Sequence, residues 1–146
     1  MPSIQLTKHF TLEELTISEE AALRGLDNTP DAAALANLKR LAETMEHVRH
    51  LLDNAPIHVT SGYRAPAVNQ AVGGAQASAH LSGAAVDFIA PAFGTPLEIC
   101  RWLEPHVAAL AIDQLIHEFG TWVHLGLAVP RLQTFTIDAK GSRSGF

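Results

Sequence analysis

The chain has 146 residues, of which 47% are hydrophobic and 17% charged, and its net charge is −5 with histidine counted as neutral. This length and composition predict one folded domain over residues 1–146 and exclude a disordered chain. The acidic balance argues against nucleic-acid binding, which needs lysine and arginine to displace counterions. No apolar run approaches the roughly 18 residues of a membrane helix, so no membrane association is expected.

The spacing of apolar residues predicts four helical segments in chain order. A broken helix over residues 12–26 is followed by a break at Asn28-Thr29-Pro30. The strongest prediction is the helix over residues 31–52, in which seven apolar residues recur at helical spacing. A short helix over 67–71 and a long one over 95–110 complete the set.

Short strands are predicted between these helices, over residues 57–60, 84–89, 113–119, 122–127 and 135–138. Helices come first, and strands with one intervening helix follow. This order predicts an α+β domain, with a mainly antiparallel sheet of about four short strands packed against the N-terminal and central helices.

Cys100 is the single cysteine, so an internal disulfide is excluded. It lies in an apolar stretch, and the sequence shows neither a helix N-terminus nor a histidine beside it that would activate a thiol. We predict a buried, inert thiol.

Residues 78–87 carry the most informative pattern. His80 on a loop and Asp87 on the strand that follows could reach one metal ion, and Glu118 and His124 add a carboxylate and a second imidazole downstream. Two imidazoles and one carboxylate, with a fourth position open to water, make up the ligand count of a catalytic zinc site. A further carboxylate could take a proton from that water. Residue types alone leave a metal site and ordinary structural roles both open.

The motifs in this order resemble the M15 family of zinc D-Ala-D-Ala carboxypeptidases and murein endopeptidases. The matches are S-x-H-x-x-G-x-A-x-D at Ser78, His80, Gly83, Ala85 and Asp87, E-x-x-x-W-x-H at Glu118, Trp122 and His124, and S-G-Y-R at residues 61–64. Residues 6–15 and 27–30 resemble the N-terminal part of the family's short, phage-associated branch. The resemblance extends over nearly the whole chain.

The resemblance implies a ligand set and a base. His80, Asp87 and His124 are expected to bind zinc. Glu118 is expected to be the general base, and later the acid that protonates the leaving amine.

Three further residues take expected roles from the same resemblance. Arg64 would hold a substrate carboxylate or the developing oxyanion, a task that suits a forked and always charged guanidinium. Ser78 either hydrogen-bonds substrate or supports the loop before His80. Trp122 either forms a wall of the cleft or packs in the core.

The loop after Glu118 decides which neighbour faces the site. A two-residue hairpin at 120–121 would pair position 118 with position 123 and place His117 on the face of His124. The family assignment needs Glu118 and His124 on one face, and therefore an odd-numbered loop or a bulge. We favour Glu118, because His117 has no counterpart in the family pattern.

The expected function is zinc-dependent hydrolysis of peptide bonds in peptidoglycan stem peptides, as a phage or prophage lytic endopeptidase. A D-Ala-D-Ala carboxypeptidase and a non-catalytic zinc-binding module that recognises a wall fragment or a protein partner stay open. Residues 1–5 lack the basic and apolar regions of a signal peptide. We therefore expect a protein that is cytoplasmic as synthesised and acts on the cell wall after release by another factor. We also expect it to be a monomer.

Overall fold

The computed structural model describes residues 4–146. Met1–Ser3 lie outside the described residues. They belong to residues 1–5, from which the absence of a signal peptide is predicted. Within residues 4–146, no helix is both long enough and apolar enough to cross a membrane.

Residues 4–146 form five α-helices, and four of these helices begin at a side-chain cap. Their bounds are α1 Leu12–Thr16, α2 Glu19–Arg24, α3 Ala32–Leu51, α4 Pro66–Ala71 and α5 Pro96–Leu103. Thr11, Ser18, Asp31 and Thr95 each accept a hydrogen bond from the backbone N–H three residues on, which satisfies a donor that has no partner within the helix. The cap at Ser18 explains why the predicted helix over 12–26 is broken in two.

The predicted helix over 95–110 is too long. α5 ends at Leu103, and a 3₁₀ turn over Glu104–His106 follows it. Pro105 lacks the backbone N–H that would continue the α-helical ladder, and its ring crowds the preceding turn. The apolar spacing beyond Leu103 therefore belongs to turns rather than to a helix.

In the described part of the chain, six strands form one mixed sheet, in the order β1-β2-β4-β3-β5-β6. Their bounds are β1 His58–Ser61, β2 Ala85–Ile89, β3 Gln114–Glu118, β4 Trp122–Gly126, β5 Gln133–Asp138 and β6 Gly141–Ser144. β3 and β5 run parallel, and the other neighbouring pairs are antiparallel. The α+β prediction is confirmed, whereas a sheet of about four strands is an undercount. β6 was missed because Gly-Ser-Arg-Ser is exposed throughout and has no apolar alternation.

The two faces of the sheet differ in chemistry. Val86 pairs with Leu125, and Asp87 pairs with His124. Because successive strand side chains point to opposite faces, the two apolar residues share one face and the two polar residues share the other. The apolar face joins buried side chains of α3 and α5 in one core, which includes Leu38, Leu41, Met45, Val48, Val86, Phe88, Ile99, Leu103, Val123 and Leu125. A packed core thus fixes the backbone from which the polar residues project.

Cys100 lies in this core, on α5, with no exposed surface. Burial, with a smaller effect from Glu104, raises the pKa of its thiol to about 12. The thiol stays protonated at neutral pH, as predicted for an inert cysteine.

Candidate metal centre

Three potential metal ligands converge on the polar face of the sheet. Asp87 Oδ1 lies 3.4 Å from His80 Nε2 and 2.9 Å from His124 Nδ1. One ligand atom from each of the three residues lies within 4.8 Å of the other two. The three residues are buried, with exposed fractions of 2% for His80 and 8% for both Asp87 and His124.

His80 reaches this point from a short 3₁₀ turn over Ala79–Ser82. The hydroxyl oxygen of Ser78 accepts a hydrogen bond from the His80 backbone N–H at 3.2 Å and caps the turn. Gly83 ends it in the left-handed region, with φ of 74°. A Cβ there would lie 2.7 Å from the Ala34 carbonyl oxygen of α3, so the motif needs glycine for both its conformation and its packing.

The orientation of the His80 ring is set by the loop after β1. His80 Nδ1 lies 2.7 Å from the carbonyl oxygen of Gly62, and because a carbonyl can only accept, Nδ1 carries the proton. The lone pair is then on Nε2, the atom that faces Asp87. A backbone carbonyl that fixes the tautomer in this way is typical of metal-binding histidines.

Asp87 is held in its charged form. Burial by itself would raise its pKa, but the neighbouring imidazoles of His124 and His80 outweigh burial and hold the pKa of Asp87 well below its usual range. A buried carboxylate between two imidazoles is a ligand set that suits zinc. The side chains present therefore fit the ion that the sequence pattern implies.

Glu118 and His124 share the polar face of the sheet. Glu118 pairs directly with Trp122, and Ile116 with His124, across a three-residue loop. This is the odd-numbered loop that the family assignment needs. Glu118 Oε1 lies 3.9 Å from His124 Nδ1, so the carboxylate borders the ligand cluster without joining it.

His117 points to the opposite face of the sheet, since it pairs with Val123. Burial, together with the charges of Arg143 and Arg101, lowers its pKa. The alternative reading that placed His117 with His124 does not match this register.

Trp122 contacts Glu118 directly, which the sequence did not reveal. Its indole N–H donates to Glu118 Oε2 at 2.8 Å, and its ring lies 5.8 Å from the ring of Phe119. Phe119 has φ of 54° and is 52% exposed, while its backbone N–H donates to the Ile137 carbonyl at 2.7 Å. The positive φ of Phe119 presents its aromatic ring to solvent beside Glu118. In the sequence, only the adjacent Gly120-Thr121 pair indicates a loop here.

Burial raises the pKa of Glu118, although the charge of His124 opposes the shift. A carboxyl group whose pKa moves toward neutrality is better suited to exchange protons at physiological pH. The hydrogen bond from Trp122 to one carboxylate oxygen leaves the other oxygen on the side of the ligand cluster.

Arg64 lies beside the same cluster. Its backbone N–H donates to the His80 carbonyl oxygen at 3.0 Å, and its Nε is buried with no hydrogen-bond partner among residues 4–146. Burial lowers the pKa of the guanidinium, and the nearby carboxylates of Asp87 and Glu118 oppose the shift. A buried donor without a protein partner is suited to an acceptor on a ligand.

A cleft of about 600 Å³ borders the ligand cluster, and its lining includes Ser78, Glu118 and His124. Ser78 borders the cleft, and its hydroxyl oxygen caps the turn that carries His80, an observation that favours a role in supporting the loop. A contact between Ser78 and substrate stays a prediction.

The cleft continues to Asp113 and Arg131, which the sequence reading did not single out. Asp113, 2% exposed, receives hydrogen bonds from Arg131 Nε at 2.7 Å and Nη2 at 3.0 Å. The pair lies 18 residues apart in sequence, with no motif to link its members.

Comparison with known proteins supports one family. The family model described as Peptidase M15 matches residues 8–126, a span that holds the three potential ligands, Glu118 and Arg64. A search of curated proteins returns no match. With most of its length matched by that model and a buried His-Asp-His group in place, the chain belongs to the M15 family of zinc-dependent metallopeptidases.

Proposed function

We propose that this protein hydrolyses peptide bonds in the stem peptides of bacterial peptidoglycan. The observation that carries the proposal is the convergence of His80, Asp87 and His124 next to a carboxylate that does not belong to the ligand set. A purely structural zinc site needs no such carboxylate and prefers four protein ligands. The M15 match supports peptidase chemistry.

In this proposal His80 Nε2, Asp87 Oδ1 and His124 Nδ1 would hold zinc, which supplies Lewis-acid polarisation of the amide carbonyl and activation of water when bound. Glu118 accepts the proton of the attacking water on the oxygen that Trp122 leaves unbound, and then returns it to the leaving amine. Trp122 keeps the carboxylate in place for both transfers.

Arg64 supplies positive charge beside the cluster. Its buried Nε and the two terminal nitrogens can donate to a substrate carboxylate or to the oxyanion that develops during attack. The Phe119 and Trp122 rings border the same site and offer an apolar wall to a peptide side chain.

Release of new amines from purified peptidoglycan, with added zinc and with a chelator, tests this function. Zinc-dependent release that the chelator abolishes is expected. Metal binding without amine release would instead support the non-catalytic module that recognises a wall fragment or a protein partner.

We further propose a phage or prophage lytic endopeptidase that acts as a monomer after release by another factor. The motif likeness to the short, phage-associated branch supports this choice over a D-Ala-D-Ala carboxypeptidase. Mass spectrometry of the digested stem peptides separates the two, because a carboxypeptidase releases free D-alanine and an endopeptidase cuts within the stem. The net charge of −5 gives no support to a nucleic-acid partner.

A further inference from the structure

Asn28, between α2 and α3, uses its side-chain amide on the backbone around Arg64. Its Nδ2 donates to the carbonyl oxygens of Tyr63 at 3.0 Å and of Thr16 at 2.8 Å. Its Oδ1 accepts from the backbone N–H of Ala65 at 2.8 Å. One side chain thus binds the residues on both sides of Arg64 and ties them to the end of α1.

The remaining backbone contacts of this loop leave Arg64 little freedom. Its own N–H donates to the His80 carbonyl at 3.0 Å, and the N–H of Tyr63 donates to the Leu15 carbonyl at 2.7 Å. A Cβ at Gly62 would lie 2.2 Å from the same Leu15 oxygen, so the loop is packed directly against α1. The His80 ring contacts the Gly62 carbonyl of this loop, and Asn28 supplies the side-chain hydrogen bonds to the residues on either side of Arg64.

We infer that Asn28 is a positioning residue, which fixes the backbone at Arg64 so that the guanidinium lies near Asp87 and Glu118. This inference rests on the proposed role of Arg64 in binding substrate. A misplacement of about 1 Å at a catalytic or binding group can reduce turnover about 10²-fold. An asparagine is needed because it offers two donors and an acceptor in one plane.

Asn28→Asp is the informative variant, because it keeps the shape and the acceptor for Ala65 but replaces Nδ2 with a carboxylate oxygen that faces the carbonyls of Tyr63 and Thr16. Asn37→Asp is the matched control. Asn37 Nδ2 also joins distant segments, donating to the Ser82 carbonyl at 2.8 Å, but it does not touch the loop of Arg64.

We expect Asn28→Asp to lower kcat/KM by up to about 10²-fold and Asn37→Asp to change it little. In an Arg64→Ala background, Asn28→Asp should add almost no further loss, because residues that act through one another are not additive. Wild-type turnover in Asn28→Asp, or a full additive loss in the Arg64→Ala background, would overturn the inference.

A readout without turnover keeps this test separate from the proposed function. The arginine Nε–H NMR signal of Arg64, identified by its absence in Arg64→Ala, should shift or broaden in Asn28→Asp and stay in place in Asn37→Asp. If the wild-type protein releases no amine, the proposed function fails and the NMR signal alone decides the role of Asn28. An unchanged signal refutes that role. If Asn28→Asp does not fold, Asn28→Ser, which keeps a neutral side chain, takes its place in every measurement.

Discussion

Glu118 stands between two neighbours that give its carboxylate oxygens different environments. Oε2 accepts the indole N–H of Trp122 at 2.8 Å, whereas Oε1 lies 3.9 Å from His124 Nδ1. Burial raises its pKa, which favours proton transfer near neutral pH. The hydrogen bond from Trp122 therefore fixes the orientation of the Glu118 carboxylate, and burial raises its pKa.

Glu118→Gln should lower peptidoglycan turnover by about 10²–10⁴-fold, the range that general acid–base catalysis supplies. Glutamine keeps the shape and can still accept the Trp122 hydrogen bond, but it cannot accept a proton. Zinc content, measured by elemental analysis, should stay at the wild-type value, because Glu118 is not assigned as a ligand.

His117→Ala is the control for this variant, since its side chain points to the other face of the sheet. Its turnover should stay close to that of the wild-type protein. Loss of zinc in Glu118→Gln would mean that Glu118 is itself a ligand, and the assigned roles would be wrong.

Arg64→Lys should fold normally and lose turnover by about 10²–10³-fold if the guanidinium stabilises an oxyanion. Lysine keeps the charge but offers a point charge in place of a planar fork. Steady-state kinetics and a thermal melt of the same sample separate lost function from lost stability. Full turnover in Arg64→Lys would remove Arg64 from the site.

At the scale of elements, an ion pair connects the segments that precede the parallel strands β3 and β5. Asp113 precedes β3 and binds Arg131 in the segment before β5 through both carboxylate oxygens. The Gln133 N–H also donates to the Asp113 carbonyl, at 2.9 Å. β3 and β5 are parallel and not joined by a hairpin, so this ion pair helps to align their starts.

The hydrogen bond from Arg131, together with its charge, lowers the pKa of Asp113. A depressed pKa in the folded state means that the stabilisation is present above the unfolded value of about 3.9 and is lost as pH falls through the folded value. Asp113→Asn should therefore reduce the free energy of unfolding at pH 7, and the difference from wild type should shrink with acidification below about pH 4. Urea unfolding at several pH values measures it.

Asp138→Asn is the matched comparison, because Asp138 binds Arg143 at 2.8 Å in an exposed ion pair. Exposed ion pairs contribute about 0–1 kcal/mol, so this variant should lose less stability than Asp113→Asn. Equal losses at pH 7 would contradict the larger contribution expected from the Asp113–Arg131 pair, in which the carboxylate is buried.

Binding of zinc should raise the stability of the whole molecule, because a ligand that binds only the folded state shifts the folding equilibrium. At a zinc concentration of about 100 times Kd the gain is about 2.7 kcal/mol, which differential scanning calorimetry detects as a higher Tm. His80→Ala should abolish the shift. His58→Ala, at an exposed position on β1, should retain it, and a shift that survives in His80→Ala would place the ion elsewhere.

Much of the fold and of the candidate site follows from local pattern. The glycine and the cap around His80 stand within a few residues of each other, so a motif can capture them. The Asn28 contacts bridge positions 12, 35 and 37 residues apart, and no local pattern encodes them. The sequence predicts too late an end for α5, because the apolar spacing continues past Pro105, the residue that ends the helix. It does not predict β6, because an exposed strand has no apolar alternation.

The two outer strands of the sheet bear on how the protein behaves when it accumulates at high concentration. An open sheet edge can pair with the edge of another copy and start aggregation. β1 carries an irregularity in register between Val59 and Ser61, and β6 is short, polar and exposed, with Arg143 at its centre. A bulged strand and a charged short strand are both poor templates for an added strand. We therefore expect the protein to resist aggregation by edge-strand pairing at high concentration.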